Sequence, residues 1–159
     1  MLQVKTLSRA SIPRNPASRY TFTPGTEEED YCAQIFQQAR NHQKIIHSLE
    51  GSEGTYFGFI ALSFGVFAKR TSLVIDFLFT SVQYRSQAFD DLGGLKISDY
   101  LLAYAFQRAI ELNEIVPVRY VALFPASDAL EEFYRRRGFS TLDDTFWMFS
   151  KIGSTSPAA

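Results

Sequence analysis

A glycine pair runs straight into an apolar helical pattern in Gly93-Gly94-Leu95-Lys96-Ile97-Ser98-Asp99-Tyr100-Leu101-Leu102. Of all stretches in the chain, this one is best suited to hold an anion. A helix N-terminus offers unpaired backbone N–H groups and the positive end of the helix dipole. Phosphates bind at such ends. Gly93 and Gly94 would let the backbone approach an anion closely, Lys96 would add charge, and Ser98 offers a hydroxyl or an N-cap. The same residues also suit a plain turn followed by a capped helix. On these residues alone both readings stand.

Other chemistries find little support. The histidines are His42 and His47, and neither has a sequence partner that points to a triad or a metal site. No Gly-x-Ser-x-Gly, no Gly-x-x-x-x-Gly-Lys-Ser/Thr and no Gly-x-Gly-x-x-Gly occurs. The single cysteine, Cys32, rules out an intramolecular disulfide framework and a cysteine-based zinc site.

The elements that must position these residues follow from hydrophobic period. Short extended pieces are expected at Gln3–Leu7 and Tyr20–Thr23, on either side of the irregular arm ASIPRNPASR. Thr26 ahead of Glu27, Glu28 and Glu29 fits a capping box, and a helix should run from there to about Arg40. Its apolar stripe would be Tyr31, Ile35 and Phe36 with Cys32 and Ala39. KIIHSLE and TYFGFIALSFGVFA flank a glycine turn and read as a hairpin. Gly58 and Gly65 within it suggest bulges or close backbone contacts. SLVIDFLFTSV is nearly all apolar, as a central strand with both faces covered should be.

QYRSQAFDDL reads as a loop. The longest helix is expected over Ile97–Asn113, with Ile97, Leu101, Leu102, Ala105, Ala109, Ile110 and Leu112 as its apolar face. VRYVALF is a strand, Asp128–Arg137 a helix closed by Gly138, and TFWMFSKI a last strand. The order is that of an α/β or α+β domain with a mixed sheet. One domain is expected over residues 1–152, with residues 1–25 forming an arm and first strand and residues 153–159 a disordered tail.

Composition agrees with a folded domain. The 159 residues are 46% hydrophobic and 21% charged, enough to bury a core, and the net charge of −1 gives no basic field for nucleic acid. Arg135 to Arg137 and Glu27 to Asp30 are short runs that suit solvated helix faces. The first residues lack the apolar run of a signal peptide, and no stretch of about 18 apolar residues appears. A cytoplasmic protein without a membrane span is the expectation.

Three pieces of the chain then form a set: Thr80-Ser81-Val82-Gln83-Tyr84-Arg85 after the apolar strand, Gly93-Gly94-Leu95-Lys96-Ile97-Ser98 opening a helix, and Ser127-Asp128-Ala129-Leu130-Glu131-Glu132-Phe133-Tyr134-Arg135-Arg136-Arg137-Gly138-Phe139. The set, over about residues 55–150, resembles the acetyl-CoA-dependent N-acetyltransferase superfamily known as GNAT. Members commonly show a strand ending in Val-x-Pro-x-Tyr-Arg, a Gln/Arg-x-x-Gly-x-Gly/Ala loop opening a helix, and Asn-x-x-Ala-x-x-x-Tyr-x-x-x-Gly-Phe. This chain has Val82 for the proline, Gly93 at the Gln/Arg position, Lys96 and Ser98 at the glycine-type positions and Ser127 for the asparagine. Ser86 to Gly93 is an insertion relative to that pattern.

The resemblance implies a mostly antiparallel sheet with helices on both faces and a splayed pair of parallel central strands. It implies direct transfer of acetyl from acetyl-CoA to an amine on a small molecule, peptide or aminoacyl group. Carried over by position, the backbone of Leu78, Phe79 and Thr80 would pair with pantetheine. Gly93, Gly94, Leu95, Lys96, Ile97 and Ser98 would hold the pyrophosphate, with Ser127 and Arg137 as further cofactor contacts. Tyr134 would act as general acid toward the CoA thiolate. Asp76, which interrupts the apolar strand, is the candidate base. Lys96 either crowds the anion or turns outward and pairs with it.

Partners implied are acetyl-CoA and an amine acceptor. Nucleic acid is not expected, except as aminoacyl-tRNA through a fainter resemblance to GNAT toxins. Families of this kind also form homodimers. The altered loop keeps a second reading open, a catalytically impaired GNAT-like domain that works as a CoA-binding or protein-interaction module.

Overall fold

The computed structural model describes residues 1–67, 69–142 and 145–153. The tail expected at 153–159 lies outside the described residues from 154 onward. The elements are β1 (Leu2–Thr6), α1 (Glu28–Arg40), β2 (Ile45–Gly51), β3 (Tyr56–Phe67), β4 (Arg70–Thr80), β5 (Ala88–Phe89), β6 (Leu95–Lys96), α2 (Ile97–Leu112), β7 (Tyr120–Leu123), α3 (Asp128–Arg135), β8 (Ser140–Thr141) and β9 (Met148–Lys151). The main sheet has the order β1-β2-β3-β4-β7-β9-β8, and β5 and β6 form a separate pair. β1–β2, β2–β3, β7–β9 and β8–β9 are antiparallel, while β4–β7 is parallel. A parallel pair needs a long crossover, and α2 lies within it. This is the mixed sheet with one parallel pair that the sequence led us to expect.

The chain forms two compact units, Met1–Leu62 with Phe77–Leu101, and Ser63–Asp76 with the residues from Leu102 onward. Unit 1 is built on aromatic packing. Tyr20 meets Phe36, Phe59 and Phe79 at centroid distances of 6.1, 5.2 and 5.9 Å. Around them close Ile12, Ile35, Ala39, Ile46 and Ala61. The Tyr20 hydroxyl is 2.7 Å from Ser48 Oγ, so its burial leaves no polar group unpaired. Burial holds that phenol above its ordinary range despite the Ser48 hydrogen bond.

α1 forms because Glu28, Glu29 and Asp30 sit in its first turn, where the dipole favours them. Its buried stripe is Cys32, Ile35, Phe36 and Ala39, at the i, i+3, i+4, i+7 spacing. Tyr31, expected in that stripe, is 55% exposed, because one step before Cys32 turns it about 100° off the buried face. Burial, with Glu29 nearby, pushes the Cys32 thiol up to about 12, so it stays a protonated packing group. Thr26 is not the N-cap. That position is Glu27, one residue on; Thr26 Oγ1 donates to Thr23 O at 2.7 Å and still accepts from Glu28 N at 3.4 Å, a long bond to the first turn. Tyr20–Thr23 is no strand, since Tyr20 turns into the core.

In unit 2, Val121, Ala122 and Leu123 of β7, Met148 and Phe149 of β9, and Leu102, Ala105, Phe106 and Ala109 of α2 are buried. Phe106 stands 5.8 Å from Phe139. Ile110 falls outside that face and is 42% exposed. At the end of α3, Phe139 N donates to Tyr134 O at 3.1 Å across Gly138, whose φ is +91°. This is the left-handed closure expected at that glycine.

Candidate functional site

In unit 1 the glycine pair forms a tight return. Gly93 N donates to Asp90 O at 3.0 Å and Gly94 N to Phe89 O at 2.9 Å. Both residues have positive φ, +68° and +81°. Their amides therefore close the turn, and their contribution is conformation. Leu95 and Lys96 then pair with Phe89 and Ala88 as a short hairpin, and α2 starts directly at Ile97. The amides left for an anion are those of the first turn of α2. Lys96 is exposed and makes no ion pair among the described residues.

Gly58 connects this helix start to β4. A Cβ on Gly58 would lie 2.4 Å from Phe79 O, 3.2 Å from Thr80 Cα and 3.3 Å from Ile97 Cγ2. The end of β4 and the first residue of α2 thus meet at one glycine. This is the close backbone contact that a glycine inside a strand suggests. The parallel register of β4 with β7 ends at Ile75↔Leu123, while β4 itself runs on through Asp76 to Thr80. Leu78 and Thr80 are half-buried and Phe79 is buried in the aromatic core.

Of the unit 2 candidates, Asp76 directly follows the last parallel pair and is half-buried. Tyr134 is 7% exposed, packed against Phe133 and Phe139 at 5.1 and 5.6 Å. Its hydroxyl has no hydrogen-bond partner among the described residues. Burial holds the phenol above its ordinary range, and the nearby Arg137 charge opposes this only in part. Tyr134 and Arg137 come together, as Arg137 N donates to Tyr134 O at 2.9 Å. The Arg137 guanidinium lies 3.6 Å from the Phe133 ring centroid and donates to Phe133 O at 3.0 Å. Arg135 and Arg136 pair with Glu131 and Glu132 along the helix surface.

Ser127 stands apart at the other end of α3. It is the N-cap, and its Oγ accepts from Leu130 N at 3.2 Å. Tyr134 lies seven positions further along the chain, roughly 10 Å along the axis. Ser127→Ala should therefore cost about 1 kcal/mol of stability. The affinity for acetyl-CoA should stay within about a factor of two. Paired melting curves and titrations check this.

Sequence reasoning passed over Arg85 and the β5–β6 hairpin. Neither QYRSQAF nor DDLGG carries a hydrophobic period, and two-residue strands leave none to read. A cavity of about 440 Å³ in unit 1 is lined by Gly51, Glu53, Phe57, Phe89, Asp90 and Asp91 among others, and by none of the candidate residues. Among the described residues no cluster of His, Cys, Asp and Glu suits a metal ion. No helix is long and apolar enough to cross a membrane.

No family model matches the sequence, and no curated protein matches it either. Solved structures do. A tyrosine-to-phenylalanine mutant of the toxin AtaT, bound to the C-terminus of the antitoxin AtaR and acetyl-CoA, superposes with a TM-score of 0.78. The match covers 97% of this chain and 95% of that one at 14% identity. AtaT complexed with acetyl-methionyl-tRNAfMet matches at a TM-score of 0.73 and 15% identity, over 95% of each chain. The KacTA–DNA complex matches at 0.71 and 16% identity, over 97% of this chain and 95% of that one. The chain has the GNAT fold. At such identities the likeness establishes the GNAT fold and not the reaction.

Proposed function

We propose that the chain is an acetyl-CoA-dependent N-acetyltransferase that passes acetyl directly to an amine. The observation that carries this reading is the meeting of the end of β4 with the start of α2 at Gly58. The backbone of Leu78–Thr80, apart from the Thr80 carbonyl that Arg85 engages, would offer hydrogen-bonding groups to an extended amide chain beyond the parallel register. The first turn of α2 offers N–H groups to a pyrophosphate, with Lys96 adding charge. The donor set fits acetyl-CoA, and the similar AtaT structure contains it.

When bound, acetyl-CoA supplies a thioester whose carbonyl carbon the amine nitrogen attacks as the C–S bond breaks. Tyr134 would donate a hydrogen bond to the departing sulfur, and Asp76 would take up the amine proton, directly or through water. Arg137 would contribute positive charge toward a nucleotide phosphate. The acceptor we propose to test first is an aminoacyl-tRNA, because AtaT is found with acetyl-methionyl-tRNAfMet. Small amines and peptide N-termini form the comparison set.

The test is a calorimetric titration with acetyl-CoA, followed by mass detection of acetylated acceptors. Saturable binding is expected, and at about a hundred times Kd the ligand should add about 2.7 kcal/mol of stability. Absence of binding at millimolar ligand overturns the reading. Lys96→Ala should raise Kd about threefold at low salt, since one exposed charge is worth well under 1 kcal/mol. The difference should shrink as salt rises. Tighter binding in that variant would mean that Lys96 obstructs the anion.

One observation favours a second reading. The Gly93 and Gly94 amides are spent inside their own turn, which leaves fewer donors for a pyrophosphate. A chain of this kind would bind CoA or a protein partner without turnover. Binding without acetyl transfer to any tested amine is its signature.

A further inference from the structure

We propose that Arg85 is a positioning residue that fixes the end of β4 for acetyl-CoA by tying it to the N-terminus of α1. This rests on the acetyl-CoA reading above. Arg85 follows a single helical turn, Val82–Tyr84, beyond the last residue of β4. Its Nε donates to Thr80 O at 2.8 Å, its Nη1 to Thr23 Oγ1 at 3.0 Å and its Nη2 to Glu28 Oε1. The guanidinium also lies 5.5 Å from the centroid of the Phe79 ring. One planar fork thus engages the backbone of β4, the arm and the first turn of α1 together.

The surroundings are built for the same purpose. Val82 N donates to Thr21 O at 3.0 Å, Thr21 N to Ser81 Oγ at 3.2 Å and Ser81 N to Phe57 O at 2.9 Å. Ser81 is fully buried. Burial of Glu28 opposes its ionisation, yet the hydrogen bonds from Arg85 and Thr23 and the Arg85 charge outweigh it and hold the carboxyl below its ordinary range. Thr80 O, the last carbonyl of β4, is turned to Arg85. The orientation of the peptide groups just before it, those offered to pantetheine, is set by that bond. A lysine has neither the reach of three fixed donors nor their planarity.

The experiment compares wild type with Arg85→Ala, Arg85→Lys and Glu28→Gln. Hydrogen exchange of the chain without ligand should speed up in peptides covering 78–85 and 21–28 in Arg85→Ala, and stay unchanged in β1 and β2. The KM for acetyl-CoA should rise about tenfold with kcat changed far less, because loosened peptide groups weaken a binding contact that ground state and transition state share. Glu28→Gln should give an intermediate rise. Arg85→Lys should keep the fold without restoring KM, so it serves if the alanine variant does not fold. A folded Arg85 variant with wild-type KM and exchange overturns the proposal while leaving the enzyme reading intact. Wild-type protein that fails to bind acetyl-CoA overturns the enzyme reading, and the exchange data still decide whether Arg85 holds the strand.

Discussion

Tyr134→Phe should lower kcat for acetyl transfer by about 10²- to 10³-fold, in the lower part of the range usual for loss of a positioned acid. The KM for acetyl-CoA should stay within about a factor of two, because the interaction is made to charge that develops only as the C–S bond breaks. The structure makes the comparison clean. The Tyr134 hydroxyl has no partner among the described residues, and the ring packs on Phe133 and Phe139. Removing the oxygen therefore strands no buried donor, and the melting temperature should hold or rise slightly.

The chemistry also constrains what Tyr134 does. A free phenol ionises near pH ~10 and a free thiol near ~8.5, and burial raises the Tyr134 phenol further. Complete proton transfer to the sulfur is then uphill by more than about 2 kcal/mol. The effective role is a hydrogen bond to a sulfur that is gaining charge, with the proton settling later from solvent. The sign of the pH dependence follows. Tyr134 is neutral in folded and unfolded chain alike below pH ~10. It adds no slope to stability there, and folded-state stability falls only as pH rises beyond the unfolded value. The kcat profile should accordingly show no descending limb from this phenol at neutral pH. A Tyr134→Phe enzyme with wild-type kcat across the amine set removes Tyr134 from the reaction.

The fold was legible where period and length agreed. β3 and β4 carry long apolar runs, and α2 and α3 carry helical spacing with a glycine stop at Gly138. Their bounds came within about two residues at most ends. Errors fell where a residue type serves two purposes. Tyr31 and Tyr20 are both aromatic, yet one faces solvent and the other anchors the unit 1 core, which local pattern does not distinguish. Thr26 has the chemistry of a cap and reaches Glu28 N at 3.4 Å, but the N-cap position itself falls one residue later, at Glu27. The site was legible as a set of residue types, less so as geometry. Gly93 and Gly94 look alike as anion-loop glycines and as turn glycines, and only their spent amides separate the two uses. Arg85 stood in the motif without a role, because its partners Thr23 and Glu28 lie some sixty positions away in the chain. No local pattern encodes such a contact.

Gly58→Ala tests the geometry on which the candidate site depends. The added methyl carbon would fall 2.4 Å from Phe79 O, a backbone atom that has no rotamer to escape into. The strands must move apart, and the cost of such overpacking is about 1–3 kcal/mol. For a chain of this length the melting temperature should fall by about 5 °C. Gly65→Ala is the matched control. Its methyl would meet the Phe67 ring at 2.6 Å, a side chain that can turn aside, so the loss should be smaller. The functional effect should separate the two variants further. Displacing Phe79 and Thr80 shifts the carbonyl that Arg85 holds and the contact with Ile97 at the start of α2. The KM for acetyl-CoA should therefore rise about tenfold or more in Gly58→Ala, following the sensitivity of bound geometry to small displacements. It should hardly change in Gly65→Ala. If the two alanines lose equal stability and neither alters KM, the junction of β4 and α2 at Gly58 does not hold the cofactor. The pyrophosphate and pantetheine roles given to Leu78–Thr80 and to the first turn of α2 then fall together, because both rest on that one close approach.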